Sequence, residues 1–343
     1  MSEEIIDVER DEDEDSLFEH HRIVADKGQG LVRIDKFLVD RLEKTSRSRI
    51  QEAHDAGYVK VNGISVKSSY KVKPNDVITI ELPYPVREFE IIPENIPLDI
   101  IYEDEDVLVL NKPMNMVVHP GHGNYSGTLV NAVLYHLQKN PGGEKHRPGL
   151  VHRLDKHTTG VMVMAKNDHA LNHLGKQFFD RTTDRRYQAI VWGDVAENGT
   201  VIGNTGRSLQ DRKVFTVFPK GDYGKHAVTH YSVLERLHYV TLVECKLETG
   251  RTHQIRVHMK YIGHTLFGDL EYGGDRILKG TTFPKYNQFV QNCFKILPRQ
   301  ALHAKTLAFD HPVTGERMSF DSPLPADMHE VLEKFRGIQA NGI

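Results

Sequence analysis

An α+β fold with a mixed sheet, entered through a small basic module, is what the 343-residue sequence predicts. Three observations carry this. Short strand-like and helix-like segments follow one another too irregularly for a doubly wound β-α-β fold. Separate hydrophobic patterns lie on either side of residues 83–97. That stretch holds four of the 15 prolines (Pro83, Pro85, Pro93 and Pro97), a density that forbids helix and reads as a linker. The expected organisation is an acidic disordered tail over 1–20, a small module over 21–82, the linker over 83–97, a larger body over 98–330 and a C-terminal tail over 331–343.

In the small module, Ile34, Phe37, Leu38 and Leu42 fall at helical spacing on one face. Ser46 is a candidate N-cap for a second helix, which Gly57 would close. Val59 to Gly63 reads as a strand entering a turn, and Val77 to Ile80 as a closing strand. In the body, Val107 to Leu110 and Val161 to Ala165 are short apolar runs expected as buried strands. Residues 168–180 read as a helix with Leu171, Leu174 and Phe178 on one face. Tyr187, Ala189 and Val191 alternate along a strand, as do Val243, Cys245 and Leu247. After Arg251 a further helix carries Ile255, Met259 and Ile262 on one face and ends at Gly263.

Composition excludes several classes. No apolar run approaches the roughly 18 residues of a membrane span. The acidic N-terminus does not read as a secretory signal. Two cysteines, Cys245 and Cys293, make neither a disulfide framework nor a Cys-based zinc site, and they fit a reducing, cytoplasmic setting. The net charge of −3 conceals an asymmetry: residues 1–20 hold ten acidic residues and one Arg, so the remainder is net basic. A basic body behind an acidic tail suggests an anionic partner, although a mixed solvated surface would look the same.

Three constellations carry chemistry. In His152-Arg153-Leu154-Asp155-Lys156-His157, an isolated acid sits among basic neighbours, where the ionised form is favoured and base or nucleophile chemistry becomes available. The same pattern fits a surface Asp satisfied by local cations. In Gly250-Arg251-Thr252-His253-Gln254-Ile255-Arg256, Arg251 lies where a strand end meets a helix start and can clamp a carboxylate or phosphate; a solvated basic helix is the plainer alternative. Tyr187, after Arg185 and Arg186, is either a core residue or a platform for a base. The Gly-rich loop at 121–127 has neither a P-loop ending nor a G-x-G-x-x-G pattern. His253 and His258 are five apart rather than four, and no carboxylate cluster stands beside Asp155, so no metal is expected.

Taken together these segments resemble the RluA-type RNA pseudouridine synthases. The resemblance rests on Asn111-Lys112-Pro113, Val118-His119-Pro120-Gly121, His152-Arg153-Leu154-Asp155, Arg251 to Arg256 and Arg299 to Ala304. Residues 33–82 resemble the small RNA-binding domain named for ribosomal protein S-four, and that domain order is similar to members acting on 23S rRNA of the large ribosomal subunit. The resemblance implies a mixed-sheet catalytic domain, RNA as partner, no cofactor, no membrane association and a monomer. It puts the catalytic carboxylate on Asp155, its pairing Arg on Arg251 and the active-site Tyr on Tyr187. Arg153 would fill the gap left by a flipped base. Arg41, Lys44, Arg47 and Arg49 would contact RNA from the small module. His157, Thr159 and Arg186 depart from the family pattern.

Two other readings use the same residues. A non-catalytic RNA-binding or ribosome-assembly factor needs the basic surfaces but not Asp155. An Asp-dependent nucleic-acid hydrolase needs a carboxylate-bound metal.

Overall fold

The computed structural model describes residues 18–42, 47–82, 91–121, 123–139 and 148–341, and the chain divides into two units at Glu90/Ile91. The first unit contains β1 (Phe18–Val24), β2 (Val32–Arg33), α1 (Ile34–Arg41), α2 (Arg47–Asp55), β3 (Val59–Val61), β4 (Ile64–Ser65), β5 (Lys71–Val72) and β6 (Val77–Leu82). Its main sheet runs β1-β6-β3-β4. Ile34, Phe37, Leu38 and Leu42 are buried together with Ile50, Val59, Ile78 and Ile80, as the helical spacing predicts. Gly57 follows α2 with φ +76°, a conformation that suits glycine. The expected cap Ser46 lies outside the described residues, as does the expected disorder of residues 3–15. The tail boundary at residue 20 is corrected, because β1 already begins at Phe18 and pairs with β6.

The second unit contains β7 (Ile100–Glu103), β8 (Val107–Lys112), α3 (Leu129–Gln138), β9 (Gly149–Leu150), β10 (Thr159–Ala165), α4 (Asp168–Asp180), β11 (Asp184–Trp192), β12 (Gly199–Arg207), β13 (Phe215–Phe218), β14 (Lys225–Leu237), β15 (Val240–Leu247), α5 (Gln254–Tyr261), α6 (Pro284–Ile296), β16 (Leu302–Asp310), β17 (Arg317–Asp321) and α7 (Ala326–Asn341). The sheet runs β13-β12-β14-β15-β11-β16-β10-β8-β7, with β17 added to β16 and β9 to β10. It is mixed: β10 and β16 are parallel and the other pairs antiparallel. Strand periodicity explains its burial. Leu108, Leu110, Met162 and Met164 pack with Leu129 and Val133 of α3, while Val107, Val109, Val161 and Val163 pack with Ala170 and Leu174 of α4. Both faces are thus covered, which is why these strands read as continuous apolar runs.

Two expected boundaries move. Residues 331–343 are not a tail from the start, because Val331, Leu332 and Phe335 of α7 are buried with Trp192 and Phe267. Residues 91–97 are not free linker, since Asn131 donates to the Ile92 carbonyl at 2.7 Å and the Gly127 amide donates to Glu94. Residues 83–90 lie outside the described residues. No helix among the described residues is long and apolar enough to cross a membrane.

Candidate active site

Asp155 sits in the loop that joins β9 to β10, and the loop is held at successive residues. The ammonium of Lys112, fully buried, donates to the carbonyls of Pro113 (2.7 Å), Met116 (2.9 Å) and Lys156 (3.2 Å). Arg299 donates through Nη1 to the His157 carbonyl at 3.1 Å while its Nε and Nη2 donate to Asp327 of α7, at 2.7 and 2.8 Å. Gln300 donates to the Thr158 hydroxyl. Past the loop, Gly160 has φ +118°, and a Cβ there would meet the Ala304 carbonyl oxygen at 2.2 Å. Only glycine lets β10 approach β16 this closely. Burial pushes the Lys112 ammonium down to about 7, against the pull of the Asp155 charge. Lys112, which the sequence marks within the Asn111-Lys112-Pro113 segment of the family resemblance, is therefore the post on which the Asp155 loop is built.

Tyr187 comes from β11, between β15 and β16, where it faces Cys245 and Ala304. A bulge against β16 falls between Arg186 and Tyr187, the kind of irregularity that re-aims side chains beside sites. Arg185 and Tyr187 are buried. Arg186 instead pairs with Asp184 and Glu244. Two carboxylates thus neutralise the Arg186 charge beside Tyr187. Burial raises the Tyr187 phenol above its ordinary value, Arg185 opposes this, and the Asp155 charge adds to it. The phenol therefore keeps its proton and is available to donate into the cavity.

The partner expected for Asp155 is also corrected. Arg256 of α5, not Arg251, places its Nη1 3.4 Å from the Asp155 carboxylate. Arg251 donates through Nε to the His226 carbonyl at 3.1 Å. Arg256 is anchored by Asp269, whose two oxygens each accept at 2.7 Å, and by Glu271 at 2.9 Å. Burial by itself lowers the guanidinium's pKa, but these carboxylates outweigh it and the net shift is upward. The helix is not a solvated basic face: Gln254 through Met259 are all buried. His253 precedes it with φ +55°, its Nε2 3.8 Å from Asp155 and its Nδ1 2.9 Å from the Tyr272 hydroxyl. Burial lowers the His253 pKa, opposed by the Asp155 charge.

These groups line one cavity of about 480 Å³, with Asp155, Tyr187, Arg251, His253 and Arg256 in its wall and Arg153 beside them. Arg153 is exposed. The candidate RNA contacts of the small module belong to the first compact unit. Arg41 is exposed, paired with Asp26 at 2.6 Å and stacked over Phe37. Lys44 and the side chains of Arg47 and Arg49 lie outside the described residues. Arg256, Asp269 and Lys112 are what sequence reasoning missed. The available signal was Arg256 set between Ile255 and Val257 in α5, a position whose burial calls for an acid partner.

Residues 106–261 match the family model described as RNA pseudouridylate synthase, and residues 32–78 match the S4 domain. An uncharacterized RNA pseudouridine synthase of Chlorobaculum parvum is 47% identical over 317 residues, covering 91% of this chain and 96% of that one. The chain belongs to the RNA pseudouridine synthase family. The ribosomal large subunit pseudouridine synthase D of Zymomonas mobilis is 43% identical over 300 residues, covering 86% of this synthase and 91% of that protein. The solved structure of human RNA pseudouridylate synthase domain containing 4 superposes with a TM-score of 0.54 at 25% identity, covering 69% of this chain and 93% of the human one. The synthase thus joins an S4 domain to a mixed-sheet pseudouridine synthase body, and its reaction is uridine isomerisation in RNA.

The buried His258 and His303, with the half-buried His152, should give the synthase a pH dependence of stability. Burial pushes His152 down to about 3, with Arg185 adding to the effect, and pushes His258 and His303 down to about 4. His152 uses its Nε2 to accept from the Val163 amide, whereas neither ring nitrogen of His258 has a partner. The folded protein holds these rings neutral, while the unfolded chain protonates them near pH 6.5. Between those values the unfolded state binds more protons, so the stability is complete above about 6.5 and is lost as pH falls towards 4. Thermal melts across that window should show a falling Tm, with a shallower fall in His258→Leu. A flat profile for the parent would show that the rings protonate without cost.

Proposed function

We propose that Asp155 is the catalytic carboxylate of this synthase and that its substrate is ribosomal RNA, specifically 23S rRNA of the large subunit. The observation that supports the site assignment is the convergence of Asp155, the Arg256 guanidinium and the Tyr187 side chain on one cavity. The name of the Zymomonas mobilis relative supports the substrate. Isomerisation breaks the bond from uracil N1 to the sugar, forms one from C5 to the same sugar carbon, and in net terms exchanges the C5 proton for one on N1, so atoms and charge balance without a co-reactant. Arg256 orients Asp155. Arg153 enters the space the target base leaves, offsetting an unstacking cost of a few kcal/mol. Leu154 and Ile255, both buried in the cavity wall, keep water from the detached sugar. The S4 unit contributes RNA contacts through Arg41, Lys44, Arg47 and Arg49. Pseudouridine mapping across rRNA and tRNA, with and without the protein, tests this. The expected loss falls on large-subunit rRNA; a loss confined to tRNA would overturn the substrate assignment.

Tyr187→Phe tests the hydroxyl separately. The ring and its packing survive, so folding should be unchanged. Turnover should fall about 10²–10⁴-fold, the usual worth of general acid–base catalysis, with rearranged but still protonated product held on the enzyme. Near-normal turnover would reduce Tyr187 to a stacking surface.

A further inference from the structure

One wall of the cavity is not used by this chemistry. It is the corner between the end of α4 and the start of β11, carrying Phe178, Phe179, Arg181 and Arg185. Phe179 is 85% exposed. Its neighbour Phe178 is already engaged, stacked on His152 with ring centroids 4.6 Å apart and covered by Arg185 at 5.4 Å. Arg185 is only 7% exposed, yet its Nε has no hydrogen-bond partner. A buried guanidinium donor without an acceptor is costly, and an anion arriving from solvent removes the cost. Arg181 closes α4 as a left-handed cap, φ +62°, and is exposed at the cavity rim. Among the described residues lining the cavity the carboxylates are Asp155 and Glu248, against five arginines.

We propose that this corner is a subsite for the nucleotide adjoining the flipped uridine, with its phosphate on Arg185 and Arg181 and its base stacked on Phe179. The inference rests on the cavity being the uridine site. An Arg fork matches phosphate geometry. An exposed aromatic ring beside it is the element that single-stranded nucleic acid stacks upon. The ring gives affinity without a hydrogen-bond code, so the subsite selects for an unpaired neighbour rather than for a particular base.

The test uses the full chain carrying Asp155→Asn, so that no turnover intervenes, and a stem–loop RNA with a uridine loop. Adding Phe179→Ala should weaken binding by roughly five- to hundredfold, the range for one base stacked on an aromatic ring. One abasic loop position should cost the Phe179 protein the same factor and cost the Phe179→Ala protein nothing further. Phe179→Trp gives a direct signal, because Trp192 is fully buried and a base on the new ring should quench only the latter. Unchanged binding by Phe179→Ala, or a penalty that persists at every abasic position, would overturn the subsite. So would a Phe179→Trp emission indifferent to RNA, which leaves a protein partner for the ring. Turnover by protein with Asp155 intact is measured in parallel. Its absence would sink the reading of the cavity, whereas normal turnover with unchanged Phe179→Ala binding sinks the subsite alone.

Discussion

Asp155→Asn abolishes uridine isomerisation while leaving the fold and the RNA affinity near those of the parent: this is the largest effect expected. The asymmetry of the ion cluster explains why the two properties separate. Asp155 is the most distant of the three carboxylates around Arg256, at 3.4 Å, while Asp269 and Glu271 bind at 2.7 and 2.9 Å. Removing the charge at 155 therefore leaves Arg256 fully paired. No buried cation is orphaned, and the destabilisation should stay within about 1 kcal/mol. The reaction, by contrast, loses its carboxylate, and an amide is neither a base nor a nucleophile of comparable strength. Pseudouridine quantification beside a thermal melt checks both halves. Turnover within tenfold of the parent would remove Asp155 from the chemistry.

The second large effect separates two arginines five residues apart. Arg256→Lys should lose at least about a hundredfold in turnover and also lower stability, because one ammonium cannot satisfy both oxygens of Asp269, which is fully buried. Complete removal of the charge, as in Arg256→Met, should cost on the order of 3–5 kcal/mol, the penalty for stranding a buried partner. Arg251→Lys should leave turnover within a few-fold, since Arg251 serves a backbone carbonyl and leaves Asp155 alone. Rates measured for both Lys variants, with melts as controls, decide the matter. A severe loss in Arg251→Lys with a mild one in Arg256→Lys would reinstate Arg251 as the partner.

The elements legible in the sequence are those whose signal is local. The helix over 168–180 matches α4 at both ends, with Asn167 as its N-cap, and the apolar runs at 107–110 and 161–165 are strands covered on both faces. Helix α7 was equally legible in principle: Met328, Val331, Leu332 and Phe335 follow helical spacing and are buried. Its place near the chain end suggested a tail instead. Burial, not position, separates a terminal helix from a loose end.

What the sequence determined by itself is the reaction class: five separated motifs in order, from Asn111-Lys112-Pro113 through His152-Arg153-Leu154-Asp155 and Arg251 to Arg256, ending with Arg299 to Ala304, mark the family. Only the tertiary structure decided which Arg meets the carboxylate. Both sit in one short motif, and spacing along the chain does not say which side chain the α5 packing turns inward. The acids that anchor Arg256 lie 13 and 15 residues further on, across a turn. The Lys112 post lies more than forty residues before the loop it pins. A buried charge takes its partner from whatever the fold brings within hydrogen-bonding distance, and that distance is set by the pairing of β8, β10, β16 and β11, not by order along the chain.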